Sequence, residues 1–188
     1  MTINNFVDFG PLQLLIGEWT GSKGDDRSPE PDGIEENAYR ETIRFEPIRE
    51  VTNAEEQRLA VLQYRQIVHR IRDNKQIHDQ SGYWMWDAVN NQIIHTFCIG
   101  RGIAVVAGGS FTETEDREFT LTVAAEAGGS EWTIQQAPFL TEKAKTTGFT
   151  MSLTVKGDTL SYDQTTIVDI YNYKQFEHTD KSTLTRKL

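Results

Sequence analysis

Hydrophobic and polar positions alternate over short stretches for most of the chain, and the recurrence every three to four residues that marks a long helix is absent. The clearest case is Phe149, Met151, Leu153 and Val155 interleaved with Thr150, Ser152 and Thr154, which buries one face of a strand and wets the other. Similar runs predict strands at Glu18–Ser22, Tyr39–Phe45, Arg58–Arg70, Ile77–Asp87, Gln92–Cys98, Ile103–Phe111, Glu118–Ala124, Thr159–Tyr171 and His178–Lys187. Asp73-Asn74, Asn90-Asn91, Gly100-Arg101-Gly102 and Gly157-Asp158 supply turns between them. Pro11 suits the start of a helix and Gly17 its end, so Pro11–Ile16 reads as a short helical plug. Residues 23–37, KGDDRSPEPDGIEEN, read as an acidic loop, and a short helix is expected within 131–144.

About ten antiparallel strands in regular succession predict an all-β fold, an up-and-down barrel of lipocalin or fatty-acid-binding-protein shape, forming one domain over residues 1–188. Closure removes the unpaired edges that invite aggregation. A barrel of this width is not filled by its own side chains, so an internal hydrophobic cavity and small-molecule binding are expected. Carriage of a fatty acid or another lipophilic ligand is one form this takes, with Glu41 and Arg186 as inward polar anchors.

Composition narrows the partners. The 188 residues carry 19 Lys and Arg against 28 Asp and Glu, a net charge of -9 that disfavours nucleic acid and anionic membranes. The single cysteine, Cys98, cannot close an intrachain disulfide, which suits a reducing, cytoplasmic setting. Its place in an apolar strand reads as a buried, inert thiol. No secretory pattern opens the chain and no apolar run reaches membrane-spanning length. GRGIAVVAGG places Val105 where a dinucleotide-binding run has its third glycine, and it continues as strand. The acidic residues between Asp25 and Glu36 lack the spacing of a calcium loop and read as solvated. Self-association as a homodimer through outer strands is a further expectation.

Four histidines remain as candidate chemistry: His69, His78, His95 and His178. His178 has the parity of Leu184 on the last strand, so if one side chain faces inward both do, with the imidazole near a mouth of the barrel. His78 opens the aromatic strand IHDQSGYWMWD. LLIGEWTG with Gly17, Trp19 and Gly21, the Leu62, Tyr64, Gln66 triplet, IHDQSGYW and the closing HTDKSTLTRKL together resemble the nitrobindins, in the same order from about residue 12 onward. That resemblance implies a ten-stranded barrel holding b-type haem at its mouth through a histidine of the last strand. It also implies nitric oxide chemistry and isomerisation of peroxynitrite. By the same resemblance His178 is the haem-iron ligand and His78 lies beside the haem. Tyr64, Trp84, Met151 and Leu184 are candidate slot residues, and Glu177, Asp180 or a carbonyl would hold the second ring nitrogen of His178. The chain departs from the nitrobindins at SKGDDRSPEPDG, where they carry further glycines and a Tyr-Pro-Thr element.

Overall fold

The computed structural model describes residues 7–187 apart from residue 49, so the leader reading of the first residues rests partly outside them. A 3-10 helix, Gly10–Leu15, precedes twelve strands. They are β1 (Gly17–Glu30), β2 (Gly33–Pro47), β3 (Val51–Asn53), β4 (Gln57–Arg70), β5 (Gln76–Asp87), β6 (Gln92–Ile99), β7 (Ile103–Glu113), β8 (Phe119–Glu126), β9 (Thr133–Gln136), β10 (Ala144–Lys156), β11 (Thr159–Ile170) and β12 (Tyr173–Arg186). A single-turn helix, α1 (Pro138–Lys143), follows β9, within the segment where a short helix was expected.

Neighbouring long strands pair antiparallel around a full circuit, β1 with β12 and β2 with β4 closing it. Eleven strands form the closed barrel and β3 is one extra. The count exceeds ten because β7 pairs with β9 along Ile103–Val106 and with β8 only along Gly108–Glu113, so β9 wedges into the circuit at one end.

Residues 23–37 are not a loop. β1 runs on to Glu30 and pairs residue by residue with β2 from Gly33, leaving only Pro31 and Asp32 as the turn. Composition misleads here because both strands are short of apolar residues. Their inward positions at this end are Asp26, Asn37 and Ser28, which bond to one another instead of to water. A bulge between Gly21 and Gly24 inserts one extra residue in β1 against both neighbours, so the inward parity passes from Trp19 and Gly21 to Gly24 and Asp26. The last strand likewise starts at Tyr173, earlier than His178.

The plug end and centre of the barrel are solid. Leu12, Leu15, Trp19, Leu62, Trp84, Ile93, Leu160 and Leu184 are at most 1% exposed, which leaves no water-sized hollow against them. Trp19 donates from Nε1 to the Leu15 carbonyl at 2.7 Å, and the Arg186 guanidinium lies 4.1 Å over its ring. Arg186 also donates to the carbonyls of Ile16 and Leu14 at 2.6 and 2.8 Å, so its guanidinium is spent on latching the plug.

Gly82 faces inward between Tyr64 and Phe97, where β5 and β6 approach so closely that a Cβ would overlap the Thr96 carbonyl oxygen. Gly82→Ala is therefore expected to destabilise by about 1–3 kcal/mol or more, because a backbone atom cannot yield as a side chain does. Chemical denaturation checks this, and a variant within about 0.5 kcal/mol of wild type would refute the close approach.

Candidate functional site at the barrel mouth

At the end away from the plug, the interior changes from apolar to polar. β12 presents Phe176, His178, Asp180, Ser182 and Leu184 on one face, so His178 does share the inward side with Leu184. The two are six residues apart, about 20 Å along a strand, and occupy opposite ends. Asp180 is the cross-strand partner of Asp26 on β1. His178 Nε2 donates to Asp26 Oδ1 at 2.7 Å and lies 3.7 Å from Asp180 Oδ2. Asp26 Oδ2 accepts from Asn37 Nδ2 at 3.1 Å and Ser28 Oγ at 3.2 Å, while Asp180 Oδ2 accepts from Gln164 Nε2 at 3.2 Å.

The charges of this cluster are unevenly stabilised. Burial pushes the Asp26 carboxyl up, but donation from His178, Asn37 and Ser28 more than offsets it and holds the group below the ordinary carboxylate range. Asp180 has weaker partners: burial, helped by the charge of Asp26 and opposed by His178, raises it to about 6. Burial works against the imidazolium of His178, and the Asp26 hydrogen bond with the two carboxylate charges overcomes it, so His178 is more basic than a free histidine. His78, on β5 at the same end, goes the other way: burial lowers it, with the Arg101 and His178 charges adding to the effect. His178 and Asp180 are closely surrounded yet remain 31% and 23% exposed, as groups lining a wet concavity do.

A hydrogen-bonded line runs from this mouth to the centre. His78 Nε2 donates to Gln80 Oε1 at 3.1 Å, and Gln80 Nε2 donates to the Tyr64 hydroxyl. With its oxygen so engaged, Tyr64 gives its proton to His95 Nε2 at 2.8 Å. His95 then carries its remaining proton on Nδ1, which is buried without a partner. The ring stacks on Trp84 at 4.0 Å between centroids and abuts Phe97 at 4.9 Å. A second cluster lies beside it: Glu41, 3% exposed, accepts from Gln66 Nε2 at 2.6 Å and Tyr162 at 3.0 Å, with no arginine involved. Burial raises the Glu41 carboxyl above its ordinary value.

The structure thus brings His178 and His78 to one mouth. It places Tyr64 and Trp84 around His95 in the packed centre, Met151 among the buried residues at 6% exposure, and Leu184 at the plug end. Cys98 is exposed on the outer face, because the alternation that turns His95 and Phe97 inward turns it out. Sequence reasoning missed Asp26, hidden by the loop reading and by a bulge whose only trace is the pair Gly21 and Gly24. Among the described residues no helix is long and apolar enough to cross a membrane.

The family described as THAP4-like, heme-binding beta-barrel domain matches residues 8–186. The chain belongs to this THAP4-like family. The nitrobindin resemblance read from the motifs is therefore borne out at the level of family. The solved structure of Rv2717c from M. tuberculosis has the same fold, with a TM-score of 0.69 and 22% identity over 96% of this chain and 100% of that one. No curated protein matches the chain. Haem in a THAP4-like barrel asks for a neutral imidazole with a free nitrogen and an apolar slot for the porphyrin. In this member the walls beside His178 include Asp26, Asp180, Gln164, Asn37 and Ser28, which offer charge and hydrogen bonds where a porphyrin face needs apolar contact. As placed, this polar lining does not fit a porphyrin.

Proposed function

We propose that this chain is a small-molecule-binding barrel whose ligand occupies the polar mouth around His78, Gln80, Gln164, His178 and Asp180. The observation that carries this reading is the contrast between a closely packed interior, whose polar groups bond to one another, and a mouth whose titratable groups are crowded yet partly exposed. Family membership supports small-molecule binding by such a barrel. The walls offer both donors and acceptors, so the ligand is a small polar molecule carrying both, and neither haem nor a lipid chain threaded through the centre. His78, less basic than usual, stays neutral near pH 7 and serves as a hydrogen-bonding wall, while His178, held in place by its hydrogen bond to Asp26, presents its ring to the ligand.

Titrating the protein with small polar fragments, with ferric haem and with oleate tests this. Saturable shifts of the His78 and His178 ring resonances in nuclear magnetic resonance spectra are expected with polar fragments alone. A sharp Soret band that His178→Ala weakens would overturn the reading in favour of haem. Stoichiometric oleate binding would overturn it in favour of a lipid carrier.

A further inference from the structure

We propose that Asp26, His178 and Asp180 form a binding site for a divalent transition-metal ion of the zinc and cobalt class. The proposal goes beyond small-molecule binding, because the ion is read out whether or not an organic ligand follows it.

The first support is geometry set by the strands. His178 and Asp180 are two apart on β12 and face the same way, and Asp26 is the cross-strand partner of Asp180. One imidazole nitrogen and two carboxylate oxygens thereby come within 4.8 Å of one another. An ion about 2.1 Å from each atom spans donors up to about 4.2 Å apart. Small side-chain rotations therefore suffice. The Nε2 proton now given to Asp26 leaves to water when the ion takes its place between the two groups.

The surrounding residues are arranged as outer partners of a metal site are. Gln164 fixes Asp180, while Asn37 and Ser28 fix Asp26, all through hydrogen bonds to oxygens of the cluster. An independent observation comes from Asn37. The residue is 5% exposed and donates from Nδ2 to Asp26 at 3.1 Å and to Glu35 Oε2 at 3.0 Å, yet its Oδ1 is buried with no donor. A buried acceptor left open next to the cluster suits a water carried by the ion. Three protein donors, of which His178 and Asp180 are partly exposed and Asp26 is buried, also leave coordination positions open toward the mouth, the pattern of sites that bind a water or substrate on the metal. Mixed nitrogen and oxygen donors suit zinc, cobalt, manganese or ferrous iron, and a histidine sets the site apart from the all-oxygen sites of calcium.

The test uses the full chain stripped with a chelator and titrated with Zn²⁺ by calorimetry and with Co²⁺ by visible absorption. One equivalent of Zn²⁺ and a Co²⁺ ligand-field band are expected. His178→Ala and the near-isosteric Asp180→Asn should each weaken Zn²⁺ binding by about 10–100-fold or more, with circular dichroism confirming that the barrel is retained. Absence of a stoichiometric event overturns the proposal. So does Zn²⁺ binding that persists unchanged in folded Asp180→Asn, which would locate the ion elsewhere, and so does a preference for Ca²⁺ over Zn²⁺.

Discussion

Trp19→Ala is expected to lower the unfolding free energy by about 3–5 kcal/mol, or roughly 6–20 °C in Tm for a chain of this size. Trp19 is fully buried, so the substitution opens a cavity as large as any single change in this core makes. It also removes the donor to Leu15 and the ring beneath Arg186, which are two of the contacts that hold the 3-10 plug in the barrel end. Arg186→Ala should cost less, about 1–2 kcal/mol, because its carbonyl partners at Leu14 and Ile16 can turn to water. Chemical denaturation of both variants checks the order. A loss below about 1 kcal/mol for Trp19→Ala would mean that the plug is not part of the cooperative unit.

Acid should weaken the wild-type fold through His95. In the unfolded chain this imidazole titrates near 6.5, whereas complete burial depresses it to about 3 in the fold. As pH falls from 6.5 toward 3 the unfolded chain takes up a proton that the fold refuses, so stability declines by about 1.4 kcal/mol per pH unit. The total across the window is on the order of 4–5 kcal/mol. Above 6.5 both states are neutral at this site and the effect vanishes. Asp180 contributes the opposite slope, because a carboxyl raised to about 6 favours the fold at low pH and loses that advantage as pH rises. Subtracting the pH profile of His95→Phe isolates the histidine, since the other groups remain in both proteins. A difference curve that is flat between pH 6.5 and 3 would show that the ring is protonated inside the barrel.

Much of the architecture was legible in the order of residues. Period-two alternation at Phe149–Val155 and the turn pairs located the strands because each side chain reports directly on which face it occupies. The motifs that carry the family resemblance also have a structural reading here. Gly17 and Trp19 with Arg186 form the plug latch, and Gly82 in the IHDQSGYW segment is the close approach of β5 to β6. The acidic stretch was opaque for the opposite reason. Asp26 and Asn37 are inward residues that satisfy each other, and hydropathy cannot distinguish a polar group bonded inside a barrel from one bonded to water. Cys98 was misplaced because an apolar neighbourhood says little about parity once Ile94, Thr96 and Cys98 are seen to form the outer row.

The sequence by itself determined an all-β barrel, a plug at its start and a histidine on the inner face of its last strand, because these follow from local alternation and from chain order. Tertiary structure alone decided what that histidine meets. A one-residue bulge in β1 turns Asp26 inward against His178, and a barrel brings its first and last strands together across 152 positions of sequence. No local pattern encodes a contact made by closure, and the donor set at this mouth is such a contact.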